Sequence, residues 1–241
     1  MMGSTDGAPA RAIVFDCDGV LLDSNRLKTE CFGEVLTAAG FDAADIAKFL
    51  TFQRENFGLS RYRLFERLLE WPLAVRPPVT QADLLALYSE AVSGRYALCD
   101  TTEGMWPVVT ALAETLPLYI VSGSDQAELR RVLAAREQAA PFRIVFGSPA
   151  TKDENLRTVM ADLASKLDGI RPEEVIFVGD AEADWRAAHG AGLRFIYMDR
   201  YSTVQTRMRA LASEHGFARI DTLPELPALV AAARSDGAAP P

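Results

Sequence analysis

The stretch AIVFDCDGV, residues 12–20, decides the fold of this 241-residue chain. Its first four residues are apolar without alternation, which is typical of a strand buried on both faces of a parallel sheet. Asp16 and Asp18 follow at once, and Gly19 lets the backbone turn sharply away from the strand. Two carboxylates this close repel each other unless a cation or a proton compensates. The motif is therefore either a simple turn or part of a site for a cation such as Mg²⁺, which prefers oxygen ligands.

Further apolar runs of the same kind follow along the chain, at residues 118–121, 143–146, 175–178 and 194–197. Helix-like patterns lie between them, for example at residues 106–116, 126–137 and 156–166. Strands that alternate with helices predict an α/β fold, a Rossmann-like doubly wound parallel sheet. Ligands of such sheets bind outside the carboxyl ends of the strands, so the residues that follow each run are candidates for the site.

One long interval breaks this rhythm. Residues 22–101 show no convincing strand run, and helical patterns occupy residues 27–39, 61–70 and 81–96. We therefore predict a helical cap domain, residues 22–101, inserted after the first strand of an α/β core that comprises residues 10–21 and 102–233. The chain ends, residues 1–9 and 234–241, are predicted to be disordered.

Polar groups follow the second and third apolar runs. Ser122 and Gly123 stand before a predicted helix, where a hydroxyl group and exposed amides can cradle a phosphate. Ordinary capping of that helix by Ser124 or Asp125 is the open alternative. Lys152 follows the third run in a predicted loop, where it either neutralises a phosphate or is a solvated surface charge.

A second acidic pair follows the fourth apolar run. If a helix starts there, Asp180 and Asp184 lie about one turn apart and share a face. Acidic residues also stabilise helix N-termini through the helix dipole, so capping is again an alternative. Glu182 either adds a further acid or points outward. A second acidic pair at a second strand end is what a cation site requires.

Four successive strand ends carry, in this order, an acid pair, a hydroxyl, a lysine and a second acid pair. This order resembles the pattern of the haloacid dehalogenase-like (HAD) hydrolase superfamily, which consists mostly of phosphatases. The resemblance covers residues 11–198, and the insert lies where that family places its C1-type helical cap. It implies a HAD-like phosphoric monoester hydrolase that uses Mg²⁺ and acts on a small phosphorylated metabolite.

The resemblance also implies roles for the aspartates of the first motif. Asp16 is the nucleophile that becomes a phosphoaspartate, and Asp18 protonates the leaving oxygen and later takes a proton from water. Dehalogenases of the superfamily lack the second aspartate, so Asp18 favours phosphate esters. A sugar phosphomutase of the β-phosphoglucomutase type uses the same pair and remains an alternative, as does a non-catalytic binding protein on this fold.

The remaining implied roles concern the phosphoryl group and the metal. The residues expected to bind the phosphoryl group are Ser122, Gly123 and Lys152, the last of which also counters negative charge. The implied metal ligands are the Asp16 carboxylate, the Asp18 backbone carbonyl, Asp180 and, directly or through water, Asp184.

Within the predicted cap, residues 51–62 contain two arginines between helical patterns. Arg54 and Arg61 are either substrate-selecting residues, which bind an anionic part of the substrate, or surface charges. Closure of the cap would exclude water from the site, with predicted hinges near residues 21–24 and 99–102.

Composition limits the partners. The formal net charge of −8 disfavours nucleic acid as a partner. No apolar run reaches the ~20 residues that span a bilayer, so no membrane association is expected. The three cysteines lack metal-site spacing and suit a reducing, cytoplasmic environment. We expect a cytoplasmic monomer or homodimer whose partner is its small phosphorylated substrate.

Overall fold

A computed structural model describes residues 9–235, with side chains through residue 231, and a parallel β-sheet lies at its centre. The strands are β1 (Ala12–Phe15), β2 (Leu118–Asp125), β3 (Phe142–Ser148), β4 (Val175–Gly179), β5 (Arg194–Met198) and β6 (Ala218–Ile220). Within the described residues these six strands are arranged in the order β3-β2-β1-β4-β5-β6, and all pairs are parallel. This is a doubly wound, Rossmann-like order, and the predicted α/β fold class is confirmed.

The central strand β1 shows why an uninterrupted apolar run forms here. All four of its residues are buried. Ile13 and Phe15 pack into one hydrophobic core, whereas Ala12 and Val14 pack into a second core on the other face of the sheet. Because both faces of the strand are covered, every position has to be apolar and no alternation is visible in the sequence.

Four helices occupy the fully described stretch between β1 and the next core helix: α1 (Asn25–Ala38), α2 (Ala43–Glu55), α3 (Arg61–Glu70) and α4 (Gln81–Leu98). The helices that follow are α5 (Met105–Ala113), α6 (Gln126–Ala135), α7 (Lys152–Ala164), α8 (Glu182–Gly190), α9 (Gln205–His215) and α10 (Leu226–Ser235). We refer to α1–α4 with their connections as the insert, and to the sheet with α5–α10 as the core.

An aromatic cluster holds the insert together. The ring of Phe32 on α1 lies 5.6 Å from Phe49, 5.4 Å from Phe65 and 4.3 Å from Tyr88, measured between centroids. These rings come from α1, α2, α3 and α4 in turn, so one residue of α1 contacts all the other helices of the insert. Aromatic pairs at such separations contribute beyond their burial, by roughly 0.5–1.5 kcal/mol each.

The two connections between the core and the insert run side by side. Leu22 forms an isolated antiparallel bridge with Thr101, and Asp23 N donates to Asp100 O over 2.9 Å. Thr102 Oγ1 donates to Val20 O over 2.6 Å. Apart from Val20, the residues of these contacts lie in the two segments that the sequence predicts as hinges, residues 21–24 and 99–102.

The predicted disordered ends lie outside the described residues, except for Pro9 and for Arg234 and Ser235, which end α10. Within the described part of the chain, no helix combines the length and the apolar character that a membrane crossing needs.

Candidate active site

Three aspartates converge where two adjacent strands end. Strands β1 and β4 are paired in register, Phe15 beside Val178, so the residues that follow their ends come together. Asp16, Asp180 and Asp184 each offer a carboxylate oxygen, and these oxygens lie within 4.8 Å of one another. All three side chains are buried. The structure therefore brings together the first predicted acidic residue and both members of the second predicted pair.

The start of α8 explains the position of Asp184. Its Oδ2 accepts hydrogen bonds from Asp180 N at 3.2 Å and from Ala181 N at 3.1 Å, which satisfies free amides at the helix N-terminus. Gly179 permits this approach, because a Cβ atom there would lie 2.4 Å from Asp184 Cβ. Asp184 therefore both caps α8 and belongs to the carboxylate cluster. Glu182 lies outside the cluster and is paired with Arg186.

Lys152 bridges two carboxylates of the cluster. Its Nζ donates to Asp16 Oδ2 over 3.1 Å and also contacts Asp184 Oδ1. The expectation that Lys152 stands in a loop is wrong, because α7 begins at this residue. Thr151 is the N-cap of this helix, and its hydroxyl forms a capping box with the carboxylate of Glu154. This cap sets the backbone from which the Lys152 side chain reaches the aspartates.

The cluster carries more negative charge than its lysine can balance. Burial raises the pKa of Asp16 to about 7; Lys152 lowers it, while Asp184 and Asp18 raise it. Burial, followed by the charges of Asp184 and Asp16, raises the pKa of Asp180 well above its usual range. Among the described residues, Asp180 Oδ1 is buried without a hydrogen-bond partner. A buried, unpartnered carboxylate oxygen beside two further carboxylates fits a ligand set for a divalent cation.

Asp18 turns away from the cluster, towards the insert. Its carboxylate accepts hydrogen bonds from Ser24 Oγ at 2.5 Å, Ser124 Oγ at 2.6 Å and Lys28 Nζ at 2.7 Å. Burial raises the pKa of Asp18, but Lys28 and the two hydroxyls outweigh it and lower the pKa to about 2. The side chains of Asp16 and Asp18 therefore serve two different regions of the pocket.

Strand β2 supplies the predicted phosphate-binding residues. The expectation that β2 ends at residue 121 is wrong, since the strand continues to Asp125 with a shift of register against β3. Ser122 is buried, and its Oγ accepts a hydrogen bond from Ser124 N at 3.1 Å. Gly123 lines the same pocket as Asp16 and Lys152. Of the two capping candidates, Asp125 caps α6 by accepting from Glu128 N at 2.8 Å.

Two residues of α1 reach the site although the motifs do not point to them. Asn25 Nδ2 donates to Asp180 Oδ2 over 2.7 Å, and Lys28 contacts Asp18 as described. Gly19, at φ +75°, allows this packing, because a Cβ atom there would lie 2.2 Å from both Asn25 Nδ2 and Asp180 Oδ2. The available signal was helical spacing: Asn25 and Lys28 are three residues apart on the helix that follows the first motif.

The two arginines singled out in the insert behave differently. Arg61 lines the pocket, but its guanidinium makes bidentate contacts of 2.5 and 3.0 Å with Glu128 on α6, and both side chains are buried. The structure does not bring Arg54 to this pocket. Arg54 lies in the last turn of α2, where it is exposed and donates to Thr51 Oγ1 over 3.1 Å.

Comparison with protein families gives a match over most of the chain. A family model described as haloacid dehalogenase-like hydrolase matches residues 10–192. The phosphoglycolate phosphatase of Photorhabdus laumondii is 29% identical over 188 residues, which cover 76% of this chain and 77% of that protein. The phosphoglycolate phosphatase of Rhodobacter capsulatus is 25% identical over 221 residues, which cover 89% of this chain and 95% of that protein.

Solved structures include a similar fold. A mutant of CbbY from Rhodobacter sphaeroides, crystallised in complex with xylulose-(1,5)bisphosphate, superimposes with a TM-score of 0.71. The likeness covers 90% of this chain and 96% of that one, at 21% sequence identity. At this level of identity the likeness shows a shared fold.

Proposed function

The chain belongs to the haloacid dehalogenase-like hydrolase family, and from this premise we propose that it hydrolyses a small phosphorylated metabolite through a phosphoaspartyl intermediate on Asp16. The predicted enzyme class, a HAD-like phosphoric monoester hydrolase, is confirmed by the family and by the phosphatase relatives. The observation that carries the proposal is the convergence of Asp16, Asp180 and Asp184 on one buried point, with Lys152 beside them.

The residues at that point suit Mg²⁺. Asp16, Asp180 and Asp184 are the side chains that would hold the ion, and Asp180 Oδ1 has no competing partner among the described residues. When bound, Mg²⁺ supplies positive charge next to the transferring phosphoryl group. The backbone carbonyl of Asp18 is the further ligand that the family resemblance implies.

In the first half-reaction, an Asp16 carboxylate oxygen attacks the phosphorus and forms an O–P bond while the ester P–O bond breaks. Asp18 gives its proton to the leaving oxygen, which departs as an alcohol. Because the contact with Lys28 favours the ionised form of Asp18, this contact has to change when the substrate binds. Lys152 neutralises part of the charge on Asp16 and on the phosphoryl oxygens.

In the second half-reaction, water attacks the phosphorus of the phosphoaspartate, and Asp18 accepts a proton from that water. The Asp16–phosphorus bond breaks, which restores the Asp16 carboxylate and releases inorganic phosphate. Gly123 and Lys152 line the pocket that holds Asp16 and Asp18, and Ser122 lines an adjoining cavity together with both, so a hydroxyl and an amide are available to the phosphoryl oxygens.

The insert acts as a cap in this proposal, with the division at residues 22–101 and the hinges predicted above. Its helices α1 and α3 bring Asn25, Lys28 and Arg61 over the strand ends. We further propose that the enzyme works in the cytoplasm, which suits its three unpaired cysteines, and as a monomer or homodimer.

The test is phosphate release from a panel headed by 2-phosphoglycolate, because the curated relatives compared above are phosphoglycolate phosphatases. The panel includes phosphoglycerates, sugar phosphates and nucleotides, each with Mg²⁺ and with a chelator. Magnesium-dependent release, together with an acyl phosphate trapped on Asp16 by borohydride reduction and located by mass spectrometry, is expected. Release that continues in Asp16→Asn would reject the mechanism, and isomerisation of a sugar phosphate without release would support a mutase instead.

A further inference from the structure

Lys28 is the cation of the insert that contacts the predicted acid–base group, Asp18. Its Nζ is 2.7 Å from the Asp18 carboxylate and also contacts Ser124 Oγ. The ammonium group lies 3.9 Å from the centroid of the Tyr96 ring, a cation–π contact that fixes its direction. The Lys28 side chain is 13% exposed, so its charge is held inside the pocket and not on the surface.

Among the described residues that line the pocket, the insert contributes two cations, Lys28 and Arg61. Arg61 is paired with Glu128 through two contacts of 3.0 and 2.5 Å, and both side chains are buried. Lys28 has Asp18 as its only carboxylate contact among the described residues. In the proposed reaction the leaving oxygen of the substrate has to lie within hydrogen-bond distance of that same carboxylate. Lys28 is therefore the cation of the insert that becomes available when a substrate occupies the pocket.

The position of Lys28 limits what it can touch. The leaving oxygen of the substrate has to come within hydrogen-bond distance of Asp18, and Lys28 Nζ already lies at that distance from the same carboxylate. The atoms one or two bonds beyond the leaving oxygen are thus the ones next to the ammonium. The insert also lines the pocket with Phe32, Phe57, Leu59, Leu64 and Tyr88 and with two amides, Asn25 and Gln53. Asn25 already donates to Asp180 Oδ2 and the Tyr88 hydroxyl to Lys28 O, so this wall offers few partners for the hydroxyl groups of a sugar.

We propose that Lys28 is a specificity-determining residue that binds an anionic group next to the ester oxygen, so that the preferred substrates are phosphate monoesters of short 2-hydroxy acids. The carboxylate of such a leaving group takes the place of Asp18 as the partner of Lys28. This inference rests on the proposed function, because it assigns Lys28 to the leaving group of that same reaction.

The experiment compares two substrates of equal length, 2-phosphoglycolate and ethyl phosphate. The first carries a carboxylate where the second carries a methyl group. The measured quantity is the ratio of their kcat/KM values. In Lys28→Met this ratio should fall about 10–100-fold, the usual size of a lost charge-assisted hydrogen bond. If the substitution also disturbs Asp18, both kcat/KM values fall alike, and this effect cancels in their ratio. Lys28→Arg, which keeps the charge, should retain most of the preference.

Lys48→Met is the matched control. Lys48 is an exposed lysine of the same insert whose ammonium lies over the Trp71 ring, so this variant removes the same charge from a residue that does not line the pocket. Its ratio should equal that of the unsubstituted enzyme. A ratio that is unchanged in Lys28→Met, or that falls equally in Lys48→Met, would overturn the inference while leaving the phosphatase proposal intact.

A binding measurement separates this inference from the catalytic proposal. In the Asp16→Asn background, calorimetry gives the Kd values of 2-phosphoglycolate and ethyl phosphate with and without Lys28→Met, and circular dichroism verifies that each variant is folded. A selective loss of affinity for 2-phosphoglycolate supports the role of Lys28 even if the protein hydrolyses neither compound. Equal affinities of the two compounds for the Asp16→Asn protein would overturn it.

Discussion

The two sides of the pocket are built in different ways. On the core side, Asp16 and Asp180 directly follow paired strands, so main-chain hydrogen bonds of the sheet fix their spacing. On the insert side, Asn25, Lys28 and Arg61 come from helices that are linked to the core through two adjacent connections. The difference indicates a division of labour: substitutions in the core should affect chemistry, and substitutions in the insert should affect selectivity, cation affinity or stability.

The largest effect is expected on the core side. Asp16→Asn removes the attacking oxygen's charge and should lower kcat by about 10⁴-fold or more, as loss of a nucleophile does elsewhere. Initial rates on the best substrate of the panel measure this. Asp153→Asn, an exposed aspartate in the first turn of α7, is the matched control and should retain its rate. If Asp16→Asn keeps a tenth of the activity, the core side does not supply the nucleophile.

The ion pair between Arg61 of the insert and Glu128 of the core should contribute to the stability of the fold. Arg61→Met leaves the Glu128 carboxylate buried without its partner and should lower the free energy of unfolding by about 3–5 kcal/mol. Urea denaturation measures this change. The double variant Arg61→Met/Glu128→Leu removes both charges and should regain most of the loss. A single variant within about 1 kcal/mol of the unsubstituted protein would show that the pair does not join insert and core.

The insert should also influence the cation site. Asn25→Ala removes the donor that orients Asp180 Oδ2, so the affinity for Mg²⁺ should fall about 10–100-fold. Isothermal titration calorimetry with Mg²⁺ reports this without any turnover. Asn56→Ala removes an amide that donates to Phe52 O within the insert, and its Mg²⁺ affinity should not change. If Asn25→Ala and Asn56→Ala bind Mg²⁺ with equal affinity, the cation site depends on the core alone and not on Asn25.

The smallest effect compares two helix caps. Thr80 caps α4 in the insert and Thr151 caps α7 in the core, each in a capping box. Replacement of either by alanine should lower the free energy of unfolding by about 1 kcal/mol. Only Thr151→Ala should also lower kcat/KM, by a few-fold, because Lys152 is the next residue. Thermal unfolding together with steady-state kinetics tests this; equal kinetic effects in both variants would contradict it.

Most of the strands and helices that were predicted carry a signal within a few neighbouring residues of the sequence. Continuous apolar runs predicted β1, β4 and β5 nearly to the residue, because burial on both faces demands apolar side chains throughout. Helix α3 was predicted with its observed bounds, Arg61–Glu70. Strand β6 was missed because it has only three residues and two of them are exposed at the sheet edge. Helix α2 was also missed, although Asp42 caps it by accepting from Ala44 N.

The residues of the candidate site also divide into those that local sequence signals predicted and those that they did not. Asp16, Asp180 and Asp184 were predictable because each follows a strand within a few residues, and paired parallel strands end at the same edge. For Arg54 the sequence left open whether it is a substrate-selecting residue or a surface charge. It is exposed at the end of α2, since the direction of a helical side chain depends on which face of the helix packs. The ion pair between Arg61 and Glu128 joins residues 67 positions apart, and no local pattern in the sequence indicates it.

The sequence alone determined which residues stand at the strand ends, because periodicity and turn chemistry act within a few residues of each other. From these the family, the sheet and the acidic cluster followed. Only the tertiary structure decided which side chains of the insert meet them: Asn25 reaches Asp180 across 155 positions, and Lys28 turns towards Asp18 and Ser124. Those contacts depend on how the aromatic cluster orients α1 over the sheet, and such long-range packing leaves no repeating pattern along the chain.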